Sequence, residues 1–174
     1  VDKMGFSACV SDPCMFFRRS SSGRLIFVFV FVDDFQGGYH REDKAEWEEY
    51  KQMLIAEFNT KDMGASTWIL GMRISRDRVA GTIKLDQELY TTKVIEKFGL
   101  ALGKLSRTPA EQNNGEQEDD KDGGGKPTNL LRYQELVGSL LYAAISTRPD
   151  IAYAVNKLTR HMVAPLVRHY RSAQ

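Results

Sequence analysis

The stretch Leu25–Val32 reads LIFVFVFV, and Asp33 and Asp34 follow it directly. All of its residues are apolar and almost all are β-branched or aromatic, which is typical of a strand buried on both faces in the middle of a sheet. The return through residues 35–38 (FQGG) predicts a hairpin with the two acids at its tip. A helix that crosses a bilayer needs about 20 apolar residues, so this stretch is too short to be transmembrane.

Elements of different periodicity flank this strand, and together they predict an α+β fold. The strongest helical signal follows the hairpin, where apolar residues from Trp47 to Phe58 recur on one face of a 3.6-residue period. Asp86 is expected to cap a later helix at its N-terminus, and Gly99 to end it. The predicted elements of this part are strands over residues 14–18, 67–75 and 82–85 and helices over residues 42–58 and 87–98.

An acidic, glycine-rich stretch divides the chain into two predicted parts. Residues 111–125 read EQNNGEQEDDKDGGG, with six acids, one Lys and no aromatic or branched apolar residue. Such a composition cannot bury enough apolar surface to offset its conformational entropy, so we predict a disordered linker over residues 109–129. The two predicted parts are therefore residues 1–108 and residues 130–174.

The second part is predicted to contain two helices and to end in a basic region. The first helix covers residues 130–146, and the second begins at Thr147-Arg148-Pro149-Asp150 and ends at Pro165. Arg148 could bind a phosphate or pair locally with Asp150. Residues 151–174 hold four Lys and Arg, two His and no acid.

The overall composition narrows the class of protein. The chain has 24 Lys and Arg against 23 Asp and Glu, a formal net charge of +1. This balance excludes a uniformly basic nucleic-acid binder but allows a local basic face. Two Cys are too few for a disulfide framework and indicate a reducing compartment.

Asp33 and Asp34 are the residues that point most directly to chemistry. Two adjacent carboxylates raise one another's proton affinity, and a divalent cation relieves that effect. Carboxylate oxygens suit Mg²⁺, which usually takes one or two of them together with substrate phosphates and water. In two-metal phosphoryl transfer such ions activate the attacking oxygen and stabilise the leaving group. A solvated turn is the plain alternative for two such acids, and both interpretations are open at this point.

Several motifs resemble the reverse transcriptases of Ty1/copia-type LTR retrotransposons. Phe31-Val32-Asp33-Asp34 resembles the family's Y-V-D-D box. The other motifs occur in the family's order over nearly the whole chain: Ser11-Asp12-Pro13-Cys14-Met15-Phe16, Ile69-Leu70-Gly71-Met72-Arg73-Ile74, Leu85-Asp86-Gln87-Glu88-Leu89-Tyr90, Val137-Gly138-Ser139-Leu140-Leu141-Tyr142 and Thr147-Arg148-Pro149-Asp150-Ile151-Ala152-Tyr153-Ala154-Val155.

The resemblance implies a partial right-hand polymerase. Residues 1–108 would form the C-terminal part of the palm, an antiparallel sheet with helices on one face, and residues 130–174 a helical, thumb-like segment. Asp33 and Asp34 would be the catalytic, metal-binding carboxylates, with Mg²⁺ or also Mn²⁺ as cofactor. The reaction would be nucleotidyl transfer from a dNTP to a primer 3′-hydroxyl.

The resemblance also implies contacts with nucleic acid and a location inside the cell. Gly71, Met72 and Arg73 would lie where the family positions the primer end on its RNA or DNA template. Lys157, Arg160 and Arg168, in the second predicted helix and the basic region after it, would face the primer–template backbone, although a solvated helix face explains them equally well. No membrane partner is implied, and the location would be the cytoplasm, in a virus-like particle, or the nucleus.

The departures from the family pattern affect the expected activity. Phe31 stands where the family usually has Tyr, and the return Gln36-Gly37-Gly38-Tyr39 is more polar than usual. The fingers, the first palm half with its Asp and the RNase H region have no counterpart here, so we expect a fragment that does not polymerise alone and whose Leu25–Val32 strand is bare on one side. The alternative is a degenerate or domesticated remnant that acts as a non-catalytic nucleic-acid or protein-binding module.

Overall fold

The computed structural model describes residues 4–100, 108–109 and 125–174. It is an α+β structure that divides into two compact units, residues 1–66 and residues 67–174, which are described separately below. Within the described ranges, no helix is both long and apolar enough to span a bilayer. The division of the chain into palm and thumb at residues 108 and 130 stays a prediction.

The first unit is an antiparallel sheet with one helix packed on it. The strands β1 to β4 lie side by side in sequence order, and the helix α1 follows them. Their bounds are β1 Ser7–Ala8, β2 Met15–Arg19, β3 Leu25–Phe31, β4 Asp34–Gly38 and α1 Lys44–Phe58. The apolar strand is thus β3, and it pairs with β2 on one edge and β4 on the other, as an interior strand should.

Strand β3 is buried on one face only, so the prediction of burial on both faces is wrong. Ile26 and Val28 are fully buried in a cluster with Trp47 and Leu54 of α1. Side chains alternate along a strand, and the residues between them point away from α1. Phe27 is accordingly 45% exposed and Phe31 49% exposed. The expectation that the strand is bare on one side agrees with the exposure of Phe27 and Phe31.

The second unit begins with a three-stranded antiparallel sheet. Its strands are β5 Trp68–Ile69, β6 Met72–Asp77 and β7 Thr82–Asp86. The single strand predicted over residues 67–75 is therefore wrong, because Leu70 and Gly71 form a two-residue turn between β5 and β6. Both turn residues have positive φ, 48° and 75°, a combination that the apolar pattern of this stretch does not reveal.

Four helices follow in the described part of the second unit: α2 Glu88–Phe98, α3 Leu130–Ser146, α4 Ala152–Thr159 and α5 Val167–Ala173. Gly99 ends α2 with φ 68°, as predicted. The N-cap residue of α2 is Gln87 rather than Asp86. Asp86 still contacts the start of α2, because its Oδ1 accepts a hydrogen bond from the Glu88 N–H at 3.4 Å, while its Oδ2 is bound by Arg73.

The helix α3 has the predicted bounds, and its N-cap Asn129 accepts a hydrogen bond from the Arg132 N–H at 3.0 Å. The second predicted helix, however, ends at Thr159 rather than at Pro165, and the short helix α5 was not predicted. Residues Tyr133, Leu136 and Val137 of α3 are fully buried and form the core of this unit.

Most of the predicted linker, residues 110–124, lies outside the described residues. Residues 125–129, at the end of the predicted linker, are described. The Val167 N–H donates to the Lys126 carbonyl at 2.8 Å, and the Thr128 N–H donates to the Pro165 carbonyl at 3.1 Å. The end of the range 109–129 is thus paired with the start of α5.

Candidate functional site

The hairpin between β3 and β4 carries Asp33 and Asp34. Phe31 pairs with Asp34, so Val32 and Asp33 form the turn and Asp34 is the first residue of β4. Val32 has φ 57° and is 87% exposed. A β-branched residue with positive φ is an outlier, and such backbone strain is found preferentially at functional sites.

Two glycines fix this hairpin on its sheet. A Cβ atom on Gly37 would lie 1.8 Å from Cη2 of Trp47, and one on Gly38 would lie 2.1 Å from Cζ of Phe27. The two rings therefore pack directly on the backbone of β4. This packing explains why two glycines follow the acids, and it holds the strand that begins with Asp34.

Both carboxylates of the hairpin face solvent. Asp33 and Asp34 are exposed, and within the described part of the chain neither carboxylate forms a hydrogen bond or an ion pair with another residue. They therefore keep all of their oxygen lone pairs for a ligand. Two adjacent, unneutralised carboxylates are hard oxygen donors of the kind that Mg²⁺ and Mn²⁺ accept, so these residues fit a divalent ion.

The two carboxylates do not form a complete metal site by themselves. Across residues 4–100, 108–109 and 125–174, no group of three or more His, Cys, Asp or Glu side chains is placed to hold a metal ion. A Mg²⁺ ion usually needs one or two carboxylates together with phosphate oxygens and water. The hairpin can thus supply the protein ligands of a substrate-dependent site but not a closed cage.

The second predicted group, Gly71, Met72 and Arg73, lies on the β5–β6 hairpin. Gly71 is in the turn, and the other two residues begin β6. The Arg73 side chain is bound by two acids, with Nε 3.0 Å from Oδ2 of Asp86 and Nη2 3.0 Å from Oε2 of Glu88. A phosphate that bound Arg73 would therefore have to compete with two carboxylates.

The pKa values of Arg73 and Asp86 both differ from the ordinary values of these side chains. The hydrogen bond to Asp86 is the main cause that raises the pKa of Arg73. For Asp86 itself, partial burial would raise the pKa, but the bonds from Arg73 and the Glu88 N–H together outweigh it and hold the pKa below its usual value. The pairing is not evident from the local sequence, in which Asp86 has the pattern of a helix cap. The cross-strand register that places Arg73 opposite Asp86 would have revealed it.

The three predicted backbone-binding cations do not share one helix. Lys157 lies on α4 with its Nζ 5.4 Å from the centre of the exposed Tyr153 ring. Arg160 is the exposed C-cap residue of α4, and Arg168 lies on α5, where its Nε is 3.2 Å from Nε2 of His169. The open question about Arg148 is resolved in favour of local pairing, because its guanidinium binds Asp150 with contacts as short as 2.7 Å.

Comparisons with a family model and with individual proteins indicate the same family. The family model described as "Reverse transcriptase (RNA-dependent DNA polymerase)" matches residues 1–112. No solved structure matches the chain significantly.

The similar proteins come from plants and yeast. The "Retrovirus-related Pol polyprotein from transposon TNT 1-94" of Nicotiana tabacum is 33% identical over 171 residues, which cover 94% of this chain and 12% of that protein. The corresponding protein from transposon RE1 of Arabidopsis thaliana is 29% identical over 97% of this chain and 11% of its own length. A putative transposon Ty5-1 protein of Saccharomyces cerevisiae is 29% identical over the whole chain and 54% of its own length.

The chain thus spans only about a tenth of the plant polyproteins and about half of the yeast protein. The family match covers more than half of the chain and includes the hairpin with Asp33 and Asp34. This chain therefore belongs to the reverse transcriptase family, the RNA-dependent DNA polymerases, and its relatives are the Pol polyproteins of copia-type retrotransposons.

Proposed function

We propose that this chain supplies the metal-binding hairpin of a retrotransposon reverse transcriptase, with Asp33 and Asp34 as the catalytic carboxylates. The observation that carries the proposal is the pair of adjacent, exposed carboxylates without neutralising partners in the described residues. The reaction would be nucleotidyl transfer from a dNTP to the 3′-hydroxyl of a primer on an RNA or DNA template. Bound Mg²⁺ or Mn²⁺ would stabilise the charge on the attacking and leaving oxygens.

The rest of the catalytic centre would come from other segments of a longer polyprotein. The described residues place no third metal ligand beside the two acids. The further palm Asp, the nucleotide-binding fingers and the RNase H region would come from outside this chain. We propose accordingly that the chain alone does not polymerise and that it acts inside the cell, in a virus-like particle or the nucleus.

The remaining candidate residues would hold the primer and template. Residues 1–108 would be the C-terminal palm part, in which Gly71, Met72 and Arg73 position the primer end. Residues 130–174 would be the thumb-like segment, in which Lys157, Arg160 and Arg168 bind phosphates. Their exposed or half-exposed positions on α4 and α5 support such a role, because phosphate contacts of this kind need accessible cations.

Metal binding by the hairpin can be tested on the chain itself with Mn²⁺ as a paramagnetic probe in NMR. We expect Mn²⁺ to broaden the amide signals around Asp33 and Asp34 and each of Asp33→Asn and Asp34→Asn to reduce the effect. Glu49→Gln is the matched control, since it removes one exposed carboxylate from α1 of the same unit. Broadening that is unchanged in both Asn variants would refute the metal assignment.

The catalytic role is tested in a longer polymerase that contains this chain. Asp33→Asn should abolish dNTP incorporation on a primed RNA template with Mg²⁺, whereas Glu49→Gln should retain it. If Asp33→Asn still extends the primer normally, the catalytic assignment is wrong. If neither substitution changes dNTP incorporation but the protein still binds primer–template, the result would favour the alternative, a non-catalytic binding module.

A further inference from the structure

The turn between β5 and β6 has an unfavourable residue at its first position. Leu70 and Gly71 both have positive φ, as the two central residues of a type I′ hairpin turn require. Asn-Gly is the usual pair in such turns, because a side chain such as that of Leu is crowded in the left-handed conformation. The turn therefore needs support from outside its own hairpin.

The side chain of Tyr142, on α3, provides a contact of this kind. Its hydroxyl donates a hydrogen bond to the carbonyl oxygen of Leu70, 72 positions earlier in the chain. The same hydroxyl oxygen lies 3.8 Å from the position that a Cβ on Gly71 would take. Tyr142 thus contacts both residues of the turn.

The Tyr142 ring is itself held in place by a second tyrosine. The rings of Tyr90 and Tyr142 pack edge to face, with centroids 5.0 Å apart and planes at 78°. The Tyr90 hydroxyl donates to the Ser139 carbonyl at 3.0 Å, which ties α2 to α3. In the same unit, the Thr147 hydroxyl donates a hydrogen bond to Oε1 of the buried Gln87 at 2.7 Å.

These contacts bring together four of the motifs that run in family order through the chain. Leu70 and Gly71 belong to the first of them, Tyr90 to the second and Tyr142 to the third, while Thr147 opens the fourth. Met72 and Arg73 follow the turn immediately. The conformation of the turn therefore determines where these two residues lie.

We infer that Tyr142 is a positioning residue that holds the Leu70–Gly71 turn from α3 and so fixes Met72 and Arg73 for contact with the primer end. The inference rests on the proposed function for its second half, the contact with the primer. Its first half, the support of the turn, concerns this chain alone. The two halves have separate measurements.

The support of the turn is tested by hydrogen–deuterium exchange on the 174-residue chain. Tyr142→Phe removes only the hydroxyl, and we expect the Met72 amide to exchange about fivefold faster, the effect of losing one ordinary hydrogen bond. Tyr90→Phe is the matched control, because it also removes one tyrosine-to-carbonyl bond from the same ring pair but none from the turn. An equal increase in both variants would show a general loss of packing and would overturn the inference.

The positioning role is tested by the affinity of the same proteins for a fluorescent RNA–DNA primer–template. We expect Tyr142→Phe to weaken binding about fivefold and Tyr90→Phe to leave it near the wild-type value. Faster exchange at Met72 with unchanged binding in Tyr142→Phe would overturn the positioning role while leaving the proposed function intact. A wild-type chain that does not bind primer–template would overturn the primer-binding part of the proposed function and the positioning role with it.

A rescue variant separates positioning from simple damage. Leu70→Asn introduces the residue that type I′ turns prefer, so the turn should no longer depend on the Tyr142 hydroxyl. The double variant Leu70→Asn with Tyr142→Phe should recover both the slow exchange of Met72 and the binding of primer–template. If the double variant behaves like Tyr142→Phe alone, the hydroxyl does not act through the turn and the inference is wrong.

Discussion

The contact between Gly37 and Trp47 leads to a quantitative prediction for Gly37→Ala. The added Cβ would lie 1.8, 2.2 and 2.7 Å from three ring atoms of Trp47, all well inside van der Waals contact. Because ordinary carbon–carbon contacts are about 3.5–4.0 Å, the ring would have to withdraw by roughly 2 Å. Trp47 is only 9% exposed and packs against Ile26 and Val28, so the ring has little room to move.

Overpacking of this kind costs about 1–3 kcal/mol, and we expect Gly37→Ala to lower the free energy of unfolding of the first unit by that amount. The assay is urea denaturation followed by fluorescence in a Trp68→Phe background. Trp47 is then the remaining fluorophore of the two Trp residues in the chain and reports on its own unit. A displaced ring should also emit at longer wavelength in the native state, since it gains contact with water.

A double-mutant cycle tests the physical reasoning directly. Trp47→Phe shortens the ring system, so Gly37→Ala should cost less in that background, with a coupling energy of about 0.5 kcal/mol or more. Far-UV circular dichroism replaces fluorescence in these variants. A cost within about 0.5 kcal/mol of zero in the native background, or an equal cost in both backgrounds, would refute the packing argument.

Four further predictions follow from other contacts. Hydrogen bonds from Arg24 first and the Ser22 hydroxyl next hold the pKa of Asp43 below its usual value, so this carboxylate stabilises the first unit above pH ~4 and the stability is lost as the pH falls through its lower folded-state pKa. Asp43→Asn should therefore flatten the decline of the urea midpoint between about pH 5 and pH 2. The double variant Asp86→Asn with Glu88→Gln should release Arg73, tighten primer–template binding and steepen its salt dependence by about 0.9 in the log–log slope. Gly138→Ala should stabilise the second unit by about 1 kcal/mol in thermal unfolding, because within the described residues a Cβ added at this α3 position meets no atom within 4 Å outside the nearby helix backbone. Burial raises the pKa of Tyr133 from its ordinary value to about 12, so spectrophotometric titration should show a late-ionising tyrosine that is lost in Tyr133→Phe, and stability should fall as the pH rises from about 10 towards 12.

Each of these predictions has an outcome that contradicts it. If the urea midpoint of Asp43→Asn declines as steeply at low pH as that of the unmodified chain, other carboxylates cause the acid sensitivity. Unchanged or weaker nucleic-acid binding in the Asp86→Asn, Glu88→Gln double variant would show that Arg73 makes no phosphate contact when it is released. A destabilised Gly138→Ala variant would mean that α3 has a neighbour at that position. Complete ionisation of all tyrosines near pH 10 would place Tyr133 in contact with water.

Elements that depend on interactions between residues close together in the sequence could be predicted from the sequence. The β3–β4 hairpin was predictable because an apolar run, two acids and two glycines follow one another. The bounds of helix α3 were predictable because its apolar stripe is continuous, although its N-cap Asn129 was assigned to the linker. The αL end of α2 was predictable from Gly99 for the same kind of reason.

Features that depend on pairing or packing between distant residues were not predictable from the sequence. The turn at Leu70 was missed because Leu is a poor residue for positive φ, and the hydrogen bond to its carbonyl comes from Tyr142, 72 positions later in the chain. The Arg73–Asp86 pair was missed because it requires the register between β6 and β7. Burial of β3 on one face alone depends on what covers the sheet, which residues 25–32 cannot encode.

For the candidate site, the sequence identified the two acids but not their exact setting. It placed both at the tip of the hairpin, whereas Asp34 is the first residue of β4 and the turn begins at Val32. A Val in the left-handed region is not expected from any turn rule. The role of the three basic residues stays a prediction, and the break between α4 and α5 separates Arg168 from Lys157 and Arg160.

Because β3 is buried on one face only, residues on its exposed face can be substituted without changing the core. Ile26 and Val28 maintain the core, while Leu25, Phe27 and Phe31 present aromatic and aliphatic surface to solvent. Hydrophobic dyes and phenyl-type chromatography media should therefore adsorb to the native chain without any unfolding. Hydrophilic substitutions at Leu25 and Phe31 should suppress this adsorption and improve colloidal behaviour while the melting temperature of the first unit stays nearly constant.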